Sequence, residues 1–147
     1  MRLVLAFFAI TILSSPSYAE SKTLVLISHA DNPTNNLSPR EIRKLFLGAK
    51  IKINGKYLIP VINRSSYLLH QVFLQKTIFM SAQRYERQLL SKLFKTGASR
   101  PILIENENDL IHNFENNKNY ISYMWMSDYK KHKNLKIITQ IWQGVVD

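Results

Sequence analysis

The chain has 147 residues, no cysteine and a formal charge of +10 at pH 7. Without cysteine it can form no disulfide, thiolate metal site or thiol nucleophile, so its stability has to come from apolar burial. The positive charge favours anionic partners as a class, including nucleic acid, anionic lipid and small anions, and it selects none of them.

The N-terminal residues have the pattern of a secretory signal. Arg2 gives a positive start, residues 3–13 are apolar, and residues 17–19 end in a small residue suited to cleavage. An apolar run of about eleven residues is too short to span a bilayer. We therefore predict cleavage after Ala19, a periplasmic location, and a soluble mature domain at residues 20–147 without a transmembrane segment. Export also argues against nucleic acid as the partner.

The first predicted elements of the mature domain are a strand and a helix. The apolar run at residues 23–27 predicts a strand buried on both faces. Ser38 then has the character of a helix N-cap, with Pro39 at the first helical position and Glu41 as the capping-box partner. Gly48 is expected to end this helix.

Strand and helix patterns alternate through the rest of the chain. The predicted strands lie at residues 57–62, 120–126 and 135–138, and the predicted helices begin at Ser65 or Ser66, at Ser81 and at Asn106 or Asn108. Pro60 argues for an edge position or a strand start in the first of these strands. Because parallel strands need crossover connections, this order predicts a single α/β domain with a mostly parallel sheet flanked by helices.

No catalytic or metal-binding motif is present in the sequence. There is no glycine-rich phosphate loop, no HExxH and no G-x-S-x-G, and the four histidines lack ligand spacing. We therefore expect a protein that is not an enzyme and that needs no metal or cofactor.

The segment after the strand at 57–62 is the best candidate for a binding site. It contains Asn63, Arg64, Ser65 and Ser66 and leads into a helix N-terminus. Backbone N–H groups and the positive end of a helix dipole converge at such a turn, and hydroxyl groups and a guanidinium add donors for an anion. The residues leave two interpretations open: an anion site, or a serine cap beside a solvated arginine. Ser28 joins the candidates because it follows the first strand, where open α/β sheets tend to bind ligands.

Several segments match motifs of one known family in order. Residues 37–48, LSPREIRKLFLG, look like the family's LSxxEIRxIFLG segment, and residues 59–64, IPVINR, look like its I-x-P-V-x-R/Q strand. Residues 120–123, YISY, are similar to its G-A-I-G-Y strand, and residues 135–138, LKII, fit its closing V-K-V-L. The chain thus resembles the phosphate-type substrate-binding proteins of ABC transporters, and among them short, exported, single-lobe relatives with the type 2 periplasmic-binding fold.

This resemblance implies a binding domain for phosphate or a related oxyanion that works for or beside an ABC transporter. The expected partners are this anion and an ABC permease or another envelope protein. When the sequence is aligned on Phe73, Tyr67 and His70 occupy the serine and arginine positions of the family's S-x-x-R loop. The predicted ligand-binding set is therefore Ser28, Asn63, Arg64, Ser65, Ser66, Tyr67 and His70.

Two other functions are compatible with the sequence. The chain could be an accessory module that keeps the fold without the ligand and docks on an envelope partner through basic residues such as Lys130, Lys131 and Lys133. It could also bind anionic lipid or nucleic acid without specificity, which would make binding steeply dependent on salt.

Overall fold

The computed structural model describes residues 19–146, so the predicted signal lies outside the described residues except for Ala19. The strands are β1 Ser21–His29, β2 Lys52–Ile53, β3 Lys56–Tyr57, β4 Ile59–Asn63, β5 Ile102–Ile104, β6 Tyr120–Trp125 and β7 Leu135–Val145. The helices are α1 Pro39–Phe46, α2 Tyr67–Phe73, α3 Ala82–Thr96, α4 Glu107–Asn116 and α5 Met126–Tyr129, and a π-helical turn at Leu74–Ile78 continues α2.

Five strands form one sheet in the order β5-β4-β6-β1-β7, and β2 and β3 form a separate hairpin. β4 is parallel to both of its neighbours, whereas β1 is antiparallel to both β6 and β7. Four of the five strands therefore run in one direction. The predicted α/β architecture with a mostly parallel sheet is confirmed, and β1 is the strand of opposite direction.

Helices cover both faces of this sheet. In β1, Leu24 and Leu26 pack on the side of α1, α2 and α3, and Val25 and Ile27 pack on the side of α4 and α5. All four side chains are fully buried, as predicted for a strand covered on both faces.

The helix-capping residues form the hydrogen bonds that the sequence predicts. Ser38 and Glu41 form the capping box: the Ser38 N–H donates to Glu41 Oε2 at 2.8 Å, and the Glu41 N–H donates to Ser38 Oγ at 3.3 Å. The Ser38 hydroxyl also donates to Glu41 Oε2 at 2.7 Å, and this bond, followed by that from the Ser38 N–H, lowers the pKa of the Glu41 carboxyl group. The side chains of Ser66, Ser81 and Asn106 cap α2, α3 and α4 by accepting the backbone N–H of the residue three positions later.

Some boundaries differ from the prediction. The strand expected at 57–62 is split, because Tyr57 belongs to a hairpin that turns at Asn54 and Gly55 with positive φ, and β4 begins at Ile59. β5 and α5 were not predicted, and the last strand continues to Val145 instead of ending at residue 138. Pro60 lies at the start of β4, before β5 begins to pair at Val61, which agrees with a strand start.

An aromatic cluster joins the helices to the sheet. The Phe73 ring of α2 stacks on the Tyr123 ring of β6 at 3.6 Å between centroids and 6° between planes, and the Phe46 ring meets Phe73 edge-on at 4.8 Å. Tyr85 of α3 donates its hydroxyl to the Phe46 carbonyl at 2.6 Å, and burial raises the pKa of that hydroxyl. The cluster fixes α1, α2 and α3 on one face of the sheet.

None of the helices found between residues 19 and 146 has the length and apolar character of a membrane span.

We predict that Phe73→Ala lowers the free energy of unfolding by about 3–5 kcal/mol, because the change opens a cavity against Tyr123. Phe94→Ala is the matched control, because the Phe94 side chain is 84% exposed and its removal is expected to change stability by about 0.5 kcal/mol or less. Urea denaturation measures both values. Equal effects of the two substitutions would contradict the assigned core.

Candidate functional site

The turn between β4 and α2 is organised by the buried Asn63 side chain. Its Nδ2 group donates to the Tyr123 carbonyl at 2.9 Å, and its Oδ1 accepts the Ser65 N–H at 3.0 Å. Both ends of the amide are therefore engaged within the protein. Asn63 ties β4 to β6 and bends the chain toward α2.

The two serines contribute to the same turn. The Ser66 Oγ accepts the Leu69 N–H at 3.3 Å as the N-cap of α2, and the Ser65 N–H is already bonded to Asn63. Neither serine lines the adjacent cavity. Their observed role is to shape the start of the helix.

A surface cavity of about 200 Å³ lies beside this turn. It is lined by Arg64, Tyr67, His70, Gln71, Ala82 and Glu86. Three of the seven residues predicted from sequence are therefore brought together here. Gln71 follows Tyr67 by one helical turn, so its position could have been predicted from α2 alone. Ala82 and Glu86 come from α3, and local sequence patterns carry no signal for that packing.

Arg64 is the cationic residue of the cavity. Its side chain is 47% exposed, and its Nη2 lies 3.8 Å from Glu105 Oε1, too far for a strong hydrogen bond. Glu86 of α3 adds a carboxylate to the lining of the cavity and pairs with Arg100. The cavity thus combines a loosely paired guanidinium with a carboxylate that already has its own cation.

His70 is held between the cavity and the core. Its Nδ1 lies 2.8 Å from the Tyr123 hydroxyl, and burial, with a smaller effect of the nearby Arg64 charge, lowers the pKa of His70 from its ordinary 6.5 to about 4. Burial raises the pKa of Tyr123 well above 10.0, so the phenol keeps its proton and can donate it to Nδ1. A neutral His70 in this arrangement carries its own proton on Nε2 and can donate it to a ligand.

Ser28 lies in the core, away from this cavity. It is fully buried, and its Oγ donates to the Tyr120 carbonyl at 2.8 Å. Because β1 runs antiparallel to β6, the end of β1 does not coincide with the end of β4 at Asn63. Ser28 would lie at the same sheet edge as Asn63 only if β1 were parallel to its neighbours, and β1 is antiparallel to both.

Between residues 19 and 146, no group of three or more histidine or acidic side chains is arranged to hold a metal ion.

The fold is similar to solved structures of phosphate-binding proteins. PstS from Borrelia burgdorferi shares 14% identity with a TM-score of 0.56, over 81% of this chain and 47% of its own. A possible phosphate binding protein from Planctomyces limnophilus DSM 3776 shares 11% identity with a TM-score of 0.56, over 82% of this chain and 42% of its own. No family model matches the chain, and no curated protein matches it.

These similarities confirm the predicted resemblance to the phosphate-type substrate-binding proteins at the level of the fold. The chain spans less than half the length of either structure. It therefore has an α/β fold similar to part of each of these two structures.

We predict that His70 makes the protein less stable as the pH falls from 6.5 to about 4. In this range the unfolded chain takes up a proton at His70 before the folded chain does, so protonation favours unfolding. Over this pH range the free energy of unfolding of the wild type should fall by about 2 kcal/mol relative to that of His70→Gln. This value is smaller than the full pKa shift would give, because His70 is only partly buried. Urea denaturation of both proteins across this range measures it, and a difference that does not vary with pH would contradict the assignment.

Proposed function

We propose that this chain is an exported periplasmic binding domain that binds phosphate or a related oxyanion for or beside an ABC transporter. The observation that carries the proposal is the Arg64 guanidinium, which lines a small open cavity at the end of β4 and is only loosely paired, with Glu105 Oε1 at 3.8 Å from its Nη2. Its planar fork can bind two oxygens of one oxyanion at once.

The other donors of the cavity suit the same ligand. Tyr67 has a hydroxyl group, Gln71 has an amide, and a neutral His70 has an Nε2–H. At about 200 Å³ the cavity is smaller than the ~300–1,000 Å³ of sites for drug-sized molecules, so a small ion fits it better.

In this proposal the serines and Asn63 act indirectly. They fix the turn that presents Arg64 and Tyr67, and their own polar groups are largely used by protein partners. The predicted contacts of Ser28, Asn63, Ser65 and Ser66 with the ligand remain predictions.

Glu86 favours binding of an anion that still carries a proton. A carboxylate repels a fully ionised oxyanion and accepts a hydrogen bond from a protonated one. The monoanion of phosphate carries two protons and a single charge, whereas the dianion carries one proton and a double charge, so Glu86 favours the monoanion over the dianion. Arg100 reduces the repulsion by pairing with Glu86.

An accessory role without a solute is the second candidate. It is favoured by the apolar surface of α3, where Leu90, Leu93 and Phe94 are exposed, Phe94 by 84%. Exposed apolar side chains on one helix face are typical of contact surfaces. This alternative predicts a folded protein that binds no phosphate.

We predict that Arg64→Ala weakens phosphate binding by about 10- to 100-fold, the loss expected for charge-assisted hydrogen bonds. Isothermal titration calorimetry of the full chain with inorganic phosphate measures the effect. Arg40→Ala is the control. Arg40 is exposed on α1 and does not line the cavity, so this substitution removes the same charge at a distant position. The proposal is wrong if the wild type gives no binding heat at millimolar phosphate, or if both variants lose the same amount of affinity for phosphate.

We also predict that Glu86→Gln alters the pH dependence of phosphate binding. The substitution should strengthen binding of the dianion by about two- to fivefold, since it removes the carboxylate and frees Arg100. Calorimetric titrations above and below the second ionisation of phosphate give the ratio. If Glu86→Gln has the same effect on both forms, Glu86 does not contact the anion.

A further inference from the structure

A second and larger cavity lies at the opposite end of β4. Its volume is about 310 Å³, and it opens between the end of α1, the β2–β3 hairpin and the loop that leads into β5. Ile59 and Pro60, at the start of β4, line this cavity, whereas Arg64, just after the end of β4, lines the first one. The two cavities are therefore separate sites.

The lining of this second cavity is mostly apolar. Leu45 and Leu58 are buried beneath it, and Ile59, Pro60 and Pro101 complete the apolar surface. Its volume falls within the ~300–1,000 Å³ typical of sites for small organic molecules. An ion as small as phosphate would leave this apolar surface unfilled.

Basic and aromatic side chains surround the opening. Lys50 is exposed and, among residues 19–146, forms no ion pair. Arg100 lines the same cavity, and Tyr57 is 53% exposed beside it, with the Lys52 ammonium 5.4 Å from its ring. No aspartate or glutamate of the described chain lines this cavity.

We propose that this cavity binds a small amphipathic organic anion, with its apolar body against Leu58 and Pro60 and its charged group near Lys50 and Arg100. Apolar walls bind the hydrocarbon part, and each buried CH₂ group strengthens binding by about threefold to fourfold. Lys50 binds the charged end, and Arg100, which also pairs with Glu86, adds hydrogen-bond donors beside it. Other sites likewise combine an apolar surface with a few placed polar groups. This site is separate from the phosphate site, and the proposal extends the proposed function.

Octanoate is the probe, and calorimetric titration of the full chain is the measurement. We expect octanoate to bind. Butyrate should bind at least tenfold more weakly, because it lacks four CH₂ groups. Octan-1-ol should also bind more weakly than octanoate, because it lacks the charge. Absence of octanoate binding at millimolar concentration overturns the proposal. Equal affinities for octanoate and butyrate, or for octanoate and octan-1-ol, also overturn it.

Two variants locate the site. Ala98 lines the cavity, so Ala98→Phe should fill it and weaken octanoate binding at least tenfold. The control is Ala30→Phe, which adds the same ring at an exposed position away from the cavity and should leave binding unchanged. Lys50→Gln should weaken binding several-fold without affecting the fold, since Lys50 is exposed. It serves as the deciding variant if Ala98→Phe does not fold. If Ala98→Phe or Lys50→Gln folds and still binds octanoate with wild-type affinity, the proposed site is wrong.

Arg64→Ala separates this proposal from the phosphate site. Octanoate binding should be unchanged in Arg64→Ala, because Arg64 lines only the first cavity. Loss of octanoate binding in this variant would place the organic anion at the phosphate site and overturn the proposal. If the protein binds octanoate as expected but does not bind phosphate, the proposed function is wrong and the organic-anion site is still supported.

Discussion

The stacked contact between Phe73 and Tyr123 is the interaction on which the first cavity depends. The two rings lie 3.6 Å apart in the core, and the hydroxyl at the far end of Tyr123 reaches His70 at the cavity wall. One side chain therefore fixes α2 on the sheet and also orients the imidazole. Because Tyr123 is fully buried and His70 is partly buried, the phenol stays protonated and the imidazole stays neutral.

The polar groups at the start of α2 have two different tasks. Asn63 and Ser66 form hydrogen bonds with backbone groups of the turn and the neighbouring strand, whereas Arg64 and Tyr67 line the cavity. The Glu86–Arg100 ion pair lies between the two cavities, since Glu86 lines the first and Arg100 lines the second. The charge available at each cavity thus depends on one shared pair.

Local signals account for the part of the fold that the sequence predicts. The Ser38 capping box and the Ser66 cap involve residues three positions apart, so they can be read directly from the chain. The antiparallel direction of β1 and the placement of Glu86 and Arg64 at one cavity depend on packing between distant segments, which no local pattern encodes. The Asn54-Gly55 pair is a hairpin signal that the sequence contained, and its short flanking strands gave little support for it.

The central claim is that an oxyanion binds beside Arg64, and an NMR titration of the full chain with inorganic phosphate tests it most directly. The account predicts that the Arg64 side-chain Nε–H signal and the Gln71 amide signals shift together and saturate, while the amide of the buried Ser28 stays unchanged. Shifts confined to other basic residues, with the Arg64 and Gln71 signals unmoved at saturating phosphate, would contradict it.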